Sequence, residues 1–212
     1  EEVVKVLLER GANVNQADDA GCTPLMLASK EGHEEMVKVL LERGANVNQG
    51  TNDGYTPLYI ASQEGHEEVV RVLLERGADV NQGADNGCAP LMIASEGGHE
   101  EVVRVLLERG ADINQGADNG CTPLMTASQE GHEEVVRVLL ERGADINQGA
   151  HDGYTPLYIA SQEGHEEVVR VFQERGANIN QADDVGRTPL HMASQEGHEE
   201  VVRVFQEGGA NI

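Results

Sequence analysis

The stretch DGYTPLYIASQEGHEEVVRV occupies residues 53–72 and recurs without a change at residues 152–171. The two copies start 99 residues apart, which is three times 33. The proline within this stretch has a counterpart every 33 residues, at Pro24, Pro57, Pro90, Pro123, Pro156 and Pro189. An uninterrupted period of this length predicts one supersecondary block per repeat, with each block stacked on its neighbours. The 212 residues are therefore expected to form one array and not several separate domains.

Each repeat is predicted to begin with a short helix. In the second copy of the TPL signal, Thr56 can cap a helix over residues 57–64. Its hydroxyl can accept from a backbone N–H, and a proline at the first helical position needs no N–H partner. Ala61 is small, which lets another helix approach closely. Gly65 supplies the positive φ that ends the helix.

A second helix is predicted over residues 67–76, where only one narrow stripe is polar. Glu67 and Arg71 lie four residues apart and are expected to form an ion pair. A helix that is apolar on all other sides must be covered by its partner helix and by both neighbouring repeats. One repeat alone therefore buries too little surface to fold, and stacking closes the core.

The pattern G-x-TPL-x-x-A-x-x-x-G-H-x-x-V-V-x-x-L-L-x-x-G-A-[DN]-[VI]-N resembles the ankyrin repeat, across essentially the whole chain. The resemblance implies an all-α repeat solenoid of stacked helix-turn-helix units with protruding β-hairpin loops. It also implies that a protein partner binds the loop tips and the concave face of the first helices. One array over residues 1–212 would comprise a partial unit at 1–20, complete units at 21–53, 54–86, 87–119, 120–152 and 153–185, and a C-terminal unit at 186–212.

The chain departs from the family pattern at two positions. The TPLH motif survives only at Thr188–His191, and methionine or tyrosine replaces the histidine in the other repeats. The threonine–histidine hydrogen bonding of the family is therefore expected to be lost there. The loop aspartate of the family is present only as Asp18 and Asp183. Looser turns are expected in the repeats between them.

Two positions vary from repeat to repeat, while the second helix hardly changes. The resemblance places both on the partner-facing surface, and together with nearby polar side chains we call them the predicted strip. Its members are Cys22, Met26, Tyr55, Tyr59, Gln63, Cys88, Met92, Cys121, Met125, Gln129, His151, Tyr154, Tyr158, Gln162, Arg187 and His191. Tyrosine is a rigid anchor and methionine an adaptable one. Duplication of a block of three repeats is the alternative explanation, because it produces the same covariation without selection for binding.

The formal net charge is −23, from 38 acidic and 15 basic residues, and it is spread evenly over the repeats. Such a surface repels phosphate backbones and anionic membranes, so no nucleic acid and no membrane partner is expected. It suits a protein partner with basic side chains. The three cysteines occupy the same position of different repeats, too far apart for disulfides. They are expected to be free thiols in a reducing intracellular compartment, the cytoplasm.

No catalytic, metal or cofactor site is predicted. The repeated GHEE motif places a histidine beside carboxylates, but a zinc-binding helix needs a second ligand four residues later, and Val70 follows His66 at that distance. Surface metal capture by the loop residue His151 with Asp152 is the alternative that stays open. A cysteine nucleophile needs an electropositive setting, whereas these thiols lie in an acidic field.

The chain opens with EEVVKVLLERG, the counterpart of a second helix, so it is expected to be part of a longer array. Val3, Val6 and Leu7 would then lack cover, which predicts end-to-end self-stacking. The expected function is a non-catalytic protein–protein interaction module. The alternative is an engineered or consensus-type scaffold with no native partner, because the repeats are nearly identical. The sequence offers no reason for Gln173 and Gln206, which replace a leucine.

Overall fold

The computed structural model describes residues 2–207, and over that range it contains thirteen α-helices joined by turns. The helices are α1 (Glu2–Glu9), α2 (Pro24–Lys30), α3 (Glu34–Glu42), α4 (Pro57–Gln63), α5 (Glu67–Glu75), α6 (Pro90–Glu96), α7 (Glu100–Glu108), α8 (Pro123–Gln129), α9 (Glu133–Glu141), α10 (Pro156–Glu163), α11 (Glu166–Glu174), α12 (Pro189–Glu196) and α13 (Glu199–Glu207). The predicted all-α fold of repeated helix-turn-helix units is confirmed. The last five residues of the predicted C-terminal unit, including the glycine pair expected to end its second helix, lie outside the described range.

The first helix of a repeat begins where the threonine–proline pair predicts. Thr56 precedes α4 in an extended conformation, and its Oγ1 accepts from the N–H of Tyr59 at 3.1 Å. Gly65 follows the helix with a φ of +75°, the left-handed conformation that glycine adopts at little cost. Ala61 is 0% exposed, because the small side chain lets the neighbouring helix pack against it.

The second helix of an inner repeat buries most of its apolar side chains. In α5, Val69, Val70 and Leu73 are at most 1% exposed, and the predicted ion pair joins Arg71 Nη2 to Glu67 Oε1 at 2.7 Å. A side chain buried to this degree stabilises the fold by roughly 1.5–3 kcal/mol relative to exposure. The surface pair adds little, because exposed ion pairs contribute about 0–1 kcal/mol.

The loops between repeats are tight turns, and no strand occurs between residues 2 and 207. Each turn is closed by one backbone hydrogen bond, in which the N–H of a loop residue donates to the carbonyl oxygen of the residue four positions later. Asp18 N–H donates to the Cys22 carbonyl at 3.0 Å, and Ala84 N–H donates to the Cys88 carbonyl at 3.0 Å. The hairpin-like shape expected from the family is thus made by turns without a paired ladder. Repeats with and without the loop aspartate share this closing bond, and a looser turn in the middle repeats stays a prediction.

The chain divides into two compact units, Glu1–Ala94 with Glu101–Asp112 and Ser95–Glu100 with Ile113–Ile212. In the first unit, α2 packs on α4 and α3 packs on α5. In the second unit, α8, α10 and α12 pack in chain order, as do α9, α11 and α13. Within each unit, a repeat therefore contacts its immediate neighbours, which is the arrangement the period predicts. No helix within residues 2–207 is both long and apolar enough to span a bilayer.

Candidate protein-binding site

The first variable position of the repeats lies at the surface. It follows a loop glycine of positive φ, such as Gly54 at +83°, which turns the chain from the loop into the next first helix. Cys88 is the exception, because its side chain is only 7% exposed. The half-buried members of this row are Cys22, Tyr55, Cys121, Tyr154 and Arg187. Each can present part of its side chain to a partner while its remaining atoms are held by the fold.

The second variable position is buried, so five predicted contact residues cannot reach a partner in the folded chain. They are Met26 (0% exposed), Tyr59 (6%), Met92 (3%), Met125 (0%) and Tyr158 (0%). The reason is geometric, because side chains of a helix point back toward its N-terminus, and a residue in the first turn therefore folds beneath the preceding loop. These residues support the surface above them. His191, at the same position of the last repeat, is exposed.

The methionines at this position replace part of the hydrogen bonding that the family histidine provides. Met26 Sδ accepts from the backbone N–H of Thr23 at 3.3 Å, and Met125 Sδ accepts from Thr122 at 3.5 Å. The thioether is a weak acceptor, but it pairs with the backbone N–H of the threonine. Without this contact, replacement of the family histidine would leave that buried N–H without a partner. In the last repeat, His191 Nδ1 lies 2.8 Å from Thr188 Oγ1, as the family pattern implies.

Polar side chains of the first helices lie beside the surface row. Gln63 and Gln129 are exposed and Gln162 is half-buried, each followed by an exposed glutamate. His151 is exposed at a loop tip. Together with the surface row and His191, these four side chains form what we call the accessible strip, which is the predicted strip without its six buried members. It combines aromatic, thiol and amide groups with Arg187 and two histidines, and carboxylates lie beside it.

The two identical stretches differ in the geometry of their tyrosines. The Tyr154 and Tyr158 rings are stacked, with centroids 4.5 Å apart and an interplanar angle of 10°. The Tyr55 and Tyr59 rings are tilted by 37° at 4.9 Å. The sequence of each pair is the same, so the difference comes from the repeat that follows.

Asp183 and Arg187 organise the stacked pair. The Tyr158 hydroxyl donates to Asp183 Oδ2 at 3.0 Å, and Arg187 Nε donates to the same oxygen at 2.8 Å. Arg187 Nη2 also donates to the Tyr154 hydroxyl oxygen at 3.2 Å. In the first unit the counterparts of Asp183 and Arg187 are Ala84 and Cys88, and the Tyr59 hydroxyl lies 3.9 Å from the Cys88 sulfur. The fifth repeat therefore holds its surface tyrosine more firmly than the second.

The electrostatics of this cluster keep Asp183 ionised. Burial by itself raises the pKa of Asp183, but hydrogen bonds from the Arg187 backbone, its guanidinium and the Tyr158 hydroxyl lower it, so that the pKa is about 2. Burial raises the pKa of the Tyr158 hydroxyl, and the Asp183 carboxylate raises it further. Tyr158 therefore remains a donor to a charged acceptor at neutral pH.

The cysteine environment does not favour nucleophilic chemistry. Burial raises the pKa of the Cys22 thiol, Asp18 raises it further, and Lys30 acts in the opposite direction. A thiol with a raised pKa is protonated at neutral pH and is a poor nucleophile. All three cysteines in the described range are free thiols. Between residues 2 and 207, no group of three or more His, Cys, Asp or Glu side chains could hold a metal ion.

The histidine of the GHEE motif connects neighbouring repeats within a unit. His66 stands at the start of α5 but its side chain makes no cap. Its Nε2 instead lies 2.8 Å from the Lys30 carbonyl oxygen at the end of the preceding first helix. In the second unit, His198 makes the same contact with Gln162 at 2.8 Å. The sequence contains a signal for this contact, because a histidine recurs at the same position of each repeat. It lies 36 residues after the residue whose carbonyl oxygen it contacts.

The second asparagine of the loop motif also bridges repeats, and the sequence analysis did not identify it. Asn48 Oδ1 accepts from the Asp79 N–H at 2.9 Å, while its Nδ2 donates to the Gly77 carbonyl at 3.2 Å. In the second unit, Asn147 Oδ1 accepts from the Asn178 N–H at 2.8 Å. These side chains position each loop against the next, and so they set the spacing of the accessible strip within a unit.

Similarity to known proteins agrees with these features. Residues 1–84, 81–150 and 148–212 match the family model described as ankyrin repeats (3 copies). The crystal structure of the human ASB11 ankyrin repeat domain is similar, with a TM-score of 0.84 and 32% sequence identity over 90% of this chain and 85% of that chain. No curated protein sequence matches the chain at a significant level.

Proposed function

The chain belongs to the ankyrin-repeat family, and from this premise we propose that it binds a protein partner through the accessible strip and performs no chemistry on it. Ankyrin repeats are generally protein–protein interaction modules. The observation that carries the proposal is the contrast within each repeat. The second helices are nearly invariant, and their packing explains this, whereas the half-buried position after the loop glycine changes among cysteine, tyrosine and arginine.

The proposed partner presents basic side chains. The net charge of −23 favours encounter with a positively charged surface, and exposed carboxylates such as Glu64 and Glu163 lie beside the strip. Tyr55 and Tyr154 supply the aromatic anchors that dominate many protein interfaces. The free thiols are compatible with a reducing compartment, and an intracellular location is part of the proposal.

A second copy of the chain is proposed as a further partner, through the apolar surface of α1 and α2. Val3 is 72% exposed, Leu7 52% and Leu27 55%, and a cavity of about 290 Å³ beside them is lined by Leu27, Ala28 and Met36 among others. The same helix faces are covered by a neighbouring repeat elsewhere in the first unit.

Light scattering over a concentration series should show a mass that rises with concentration. A constant monomer mass would exclude self-stacking.

The proposed binding function is tested by affinity capture with matched variants. The strip variant carries Tyr55→Ala, Tyr154→Ala and Gln162→Ala, all at accessible positions, so that the buried tyrosines stay in place. The control variant carries Glu68→Ala, Glu134→Ala and Glu167→Ala, which are exposed on the second helices.

Loss of specific partners from the strip variant, with retention by the control and unchanged helicity, is the expected result. Retention of the same partners by the strip variant would place the interface elsewhere. Failure of the unmodified chain to capture any specific partner would favour the alternative of a consensus-type scaffold.

A further inference from the structure

The second unit contains a cavity of about 270 Å³ on the accessible strip. Cys121, Gln129, Asp152, Tyr154, Ile159 and Glu163 are among the residues that line it. Small-molecule sites commonly measure about 300–1,000 Å³, so this cavity is sized for one large side chain. It lies where two consecutive loops meet the first helices α8 and α10.

We propose that this cavity accepts an arginine side chain of the protein partner, an inference that rests on the proposed function. Asp152 and Glu163 are exposed carboxylates on its rim, and Tyr154 provides an aromatic surface. A planar guanidinium can stack on an aromatic ring and pair with carboxylates, whereas an ammonium is a compact and strongly hydrated charge. Ile159 adds an apolar side chain to the lining, against which the aliphatic stem of arginine can pack.

The chain itself shows a guanidinium held by the same chemical groups. Arg187 pairs with Asp183 at 2.8 Å and donates to the Tyr154 hydroxyl at 3.2 Å. The Asp183 carboxylate balances the charge of Arg187, so Arg187 does not oppose a second guanidinium as an unpaired cation would. Because Tyr154 is bonded to Arg187 and stacked on Tyr158, its ring is already in place before a partner arrives.

The internal duplication provides a matched site that should not bind arginine. The residues 99 positions earlier include Cys22, Asp53, Tyr55 and Glu64, which are the same residue types as in the second unit. Lys30 replaces Gln129, however, and adds a positive charge. Burial and Asp18 raise the pKa of Cys22, the counterpart of Cys121, and Lys30 opposes this rise, so the ammonium acts on this part of the surface. Like charge opposes entry of a guanidinium, and the fourth and fifth repeats are therefore the specific site.

The proposal is tested by NMR titration of the full chain with N-acetyl-arginine amide as the probe. The expected result is a set of saturable shifts confined to amides of residues 119–130 and 150–163. The capped lysine should bind more weakly, and capped citrulline, which lacks the charge, should not bind. Shifts spread evenly over the acidic surface, or equal shifts with citrulline, would overturn the proposal.

Four variants at exposed positions make the test specific. Gln129→Lys and Glu163→Gln should each weaken binding of the probe by about fivefold, the effect of one screened charge about 4 Å away. Glu167→Gln, on the exposed face of α11, should change the affinity less than twofold. Lys30→Gln should create a second set of shifts in residues 20–31 and 51–64. Equal effects of Glu163→Gln and Glu167→Gln would contradict a defined cavity.

The outcome separates this proposal from the proposed function. If the probe fails to bind while the strip variant still loses its protein partner, the arginine site is wrong and the binding function stands. If the probe binds at the cavity but the strip variant keeps its partner, the cavity binds arginine and the partner interface lies elsewhere.

Discussion

Replacing the glycine that ends a first helix should reveal how strongly the next repeat constrains it. Gly164 has a φ of +81°, and a Cβ added there would lie 2.5 Å from His198 Nδ1. Gly197 is the counterpart one repeat later, with a φ of +78° and open space around the added atom. Both lie in the same local sequence, SQEGHEE. Gly197→Ala is therefore a matched control for Gly164→Ala.

The expected magnitudes follow from two separate costs. A left-handed conformation costs an L-residue roughly 1–2 kcal/mol, and this cost applies to both variants. In Gly164→Ala the His198 ring must also move, which breaks its 2.8 Å hydrogen bond to the Gln162 carbonyl. A typical net hydrogen bond contributes about 1 kcal/mol. The free energy of unfolding should therefore fall by about 2–3 kcal/mol in Gly164→Ala.

Urea denaturation followed by far-ultraviolet circular dichroism measures both losses. The last repeat could tolerate an alanine better than an inner repeat for reasons unrelated to the histidine ring. A double-mutant cycle with His198→Ala separates this effect from the steric contribution of the ring. Once the ring is absent, Gly164→Ala should cost only the conformational part, about 1–2 kcal/mol. If Gly164→Ala costs as much without His198 as with it, the histidine does not impose glycine at this position.

Three further predictions concern single side chains. Asn147→Ala should lower the free energy of unfolding by about 1 kcal/mol and speed hydrogen exchange of the Asn178 amide, because this amide loses its hydrogen bond to Asn147. An unchanged exchange rate would contradict this hydrogen bond. Because the pKa of Asp183 is depressed to about 2, its contribution to stability is complete above the ordinary pKa near 4 and is lost as the pH falls toward 2. The urea midpoints of Asp183→Asn and the unmodified chain should therefore converge over that interval, and a constant difference would refute the assignment. Cys88, 7% exposed, should react more slowly with a disulfide reagent than the half-buried Cys22 and Cys121, and a single phase for all three would contradict its burial.

The sequence predicts the helices well because their signals are local. The threonine cap, the proline at the first helical position and the closing glycine place α4 at Pro57–Gln63 against a predicted 57–64. The apolar pattern places α5 at Glu67–Glu75 against a predicted 67–76. The period also predicts that neighbouring repeats stack, since a helix with one polar stripe needs cover on its remaining sides.

Six members of the predicted strip are buried, because accessibility depends on contacts between repeats. Met26 and Tyr158 are variable, which suggested a surface position, yet both are 0% exposed beneath the loops. The two tyrosine pairs have identical sequences, and contacts of Asp183 and Arg187 in the following repeat accompany the stacking of Tyr154 on Tyr158. The bridge from Asn147 to Asn178 spans 31 positions, so only the recurrence of asparagine at the same place in each repeat could have indicated it.

Gln173 remains without a structural reason. It replaces a leucine of the second helix, and its Nε2 is buried with no hydrogen-bond partner within the described residues. A buried donor without a partner costs roughly 1–3 kcal/mol. The structure does not explain why glutamine occupies this position.

Hydrogen–deuterium exchange of the full chain, alone and with a captured protein partner, tests most directly which surface binds. Binding through the accessible strip predicts slower exchange in residues 119–130 and 150–163, while α9 and α11 keep the exchange rates of the free chain. Slower exchange confined to α9 and α11, with the loops and first helices unaffected, would contradict the account.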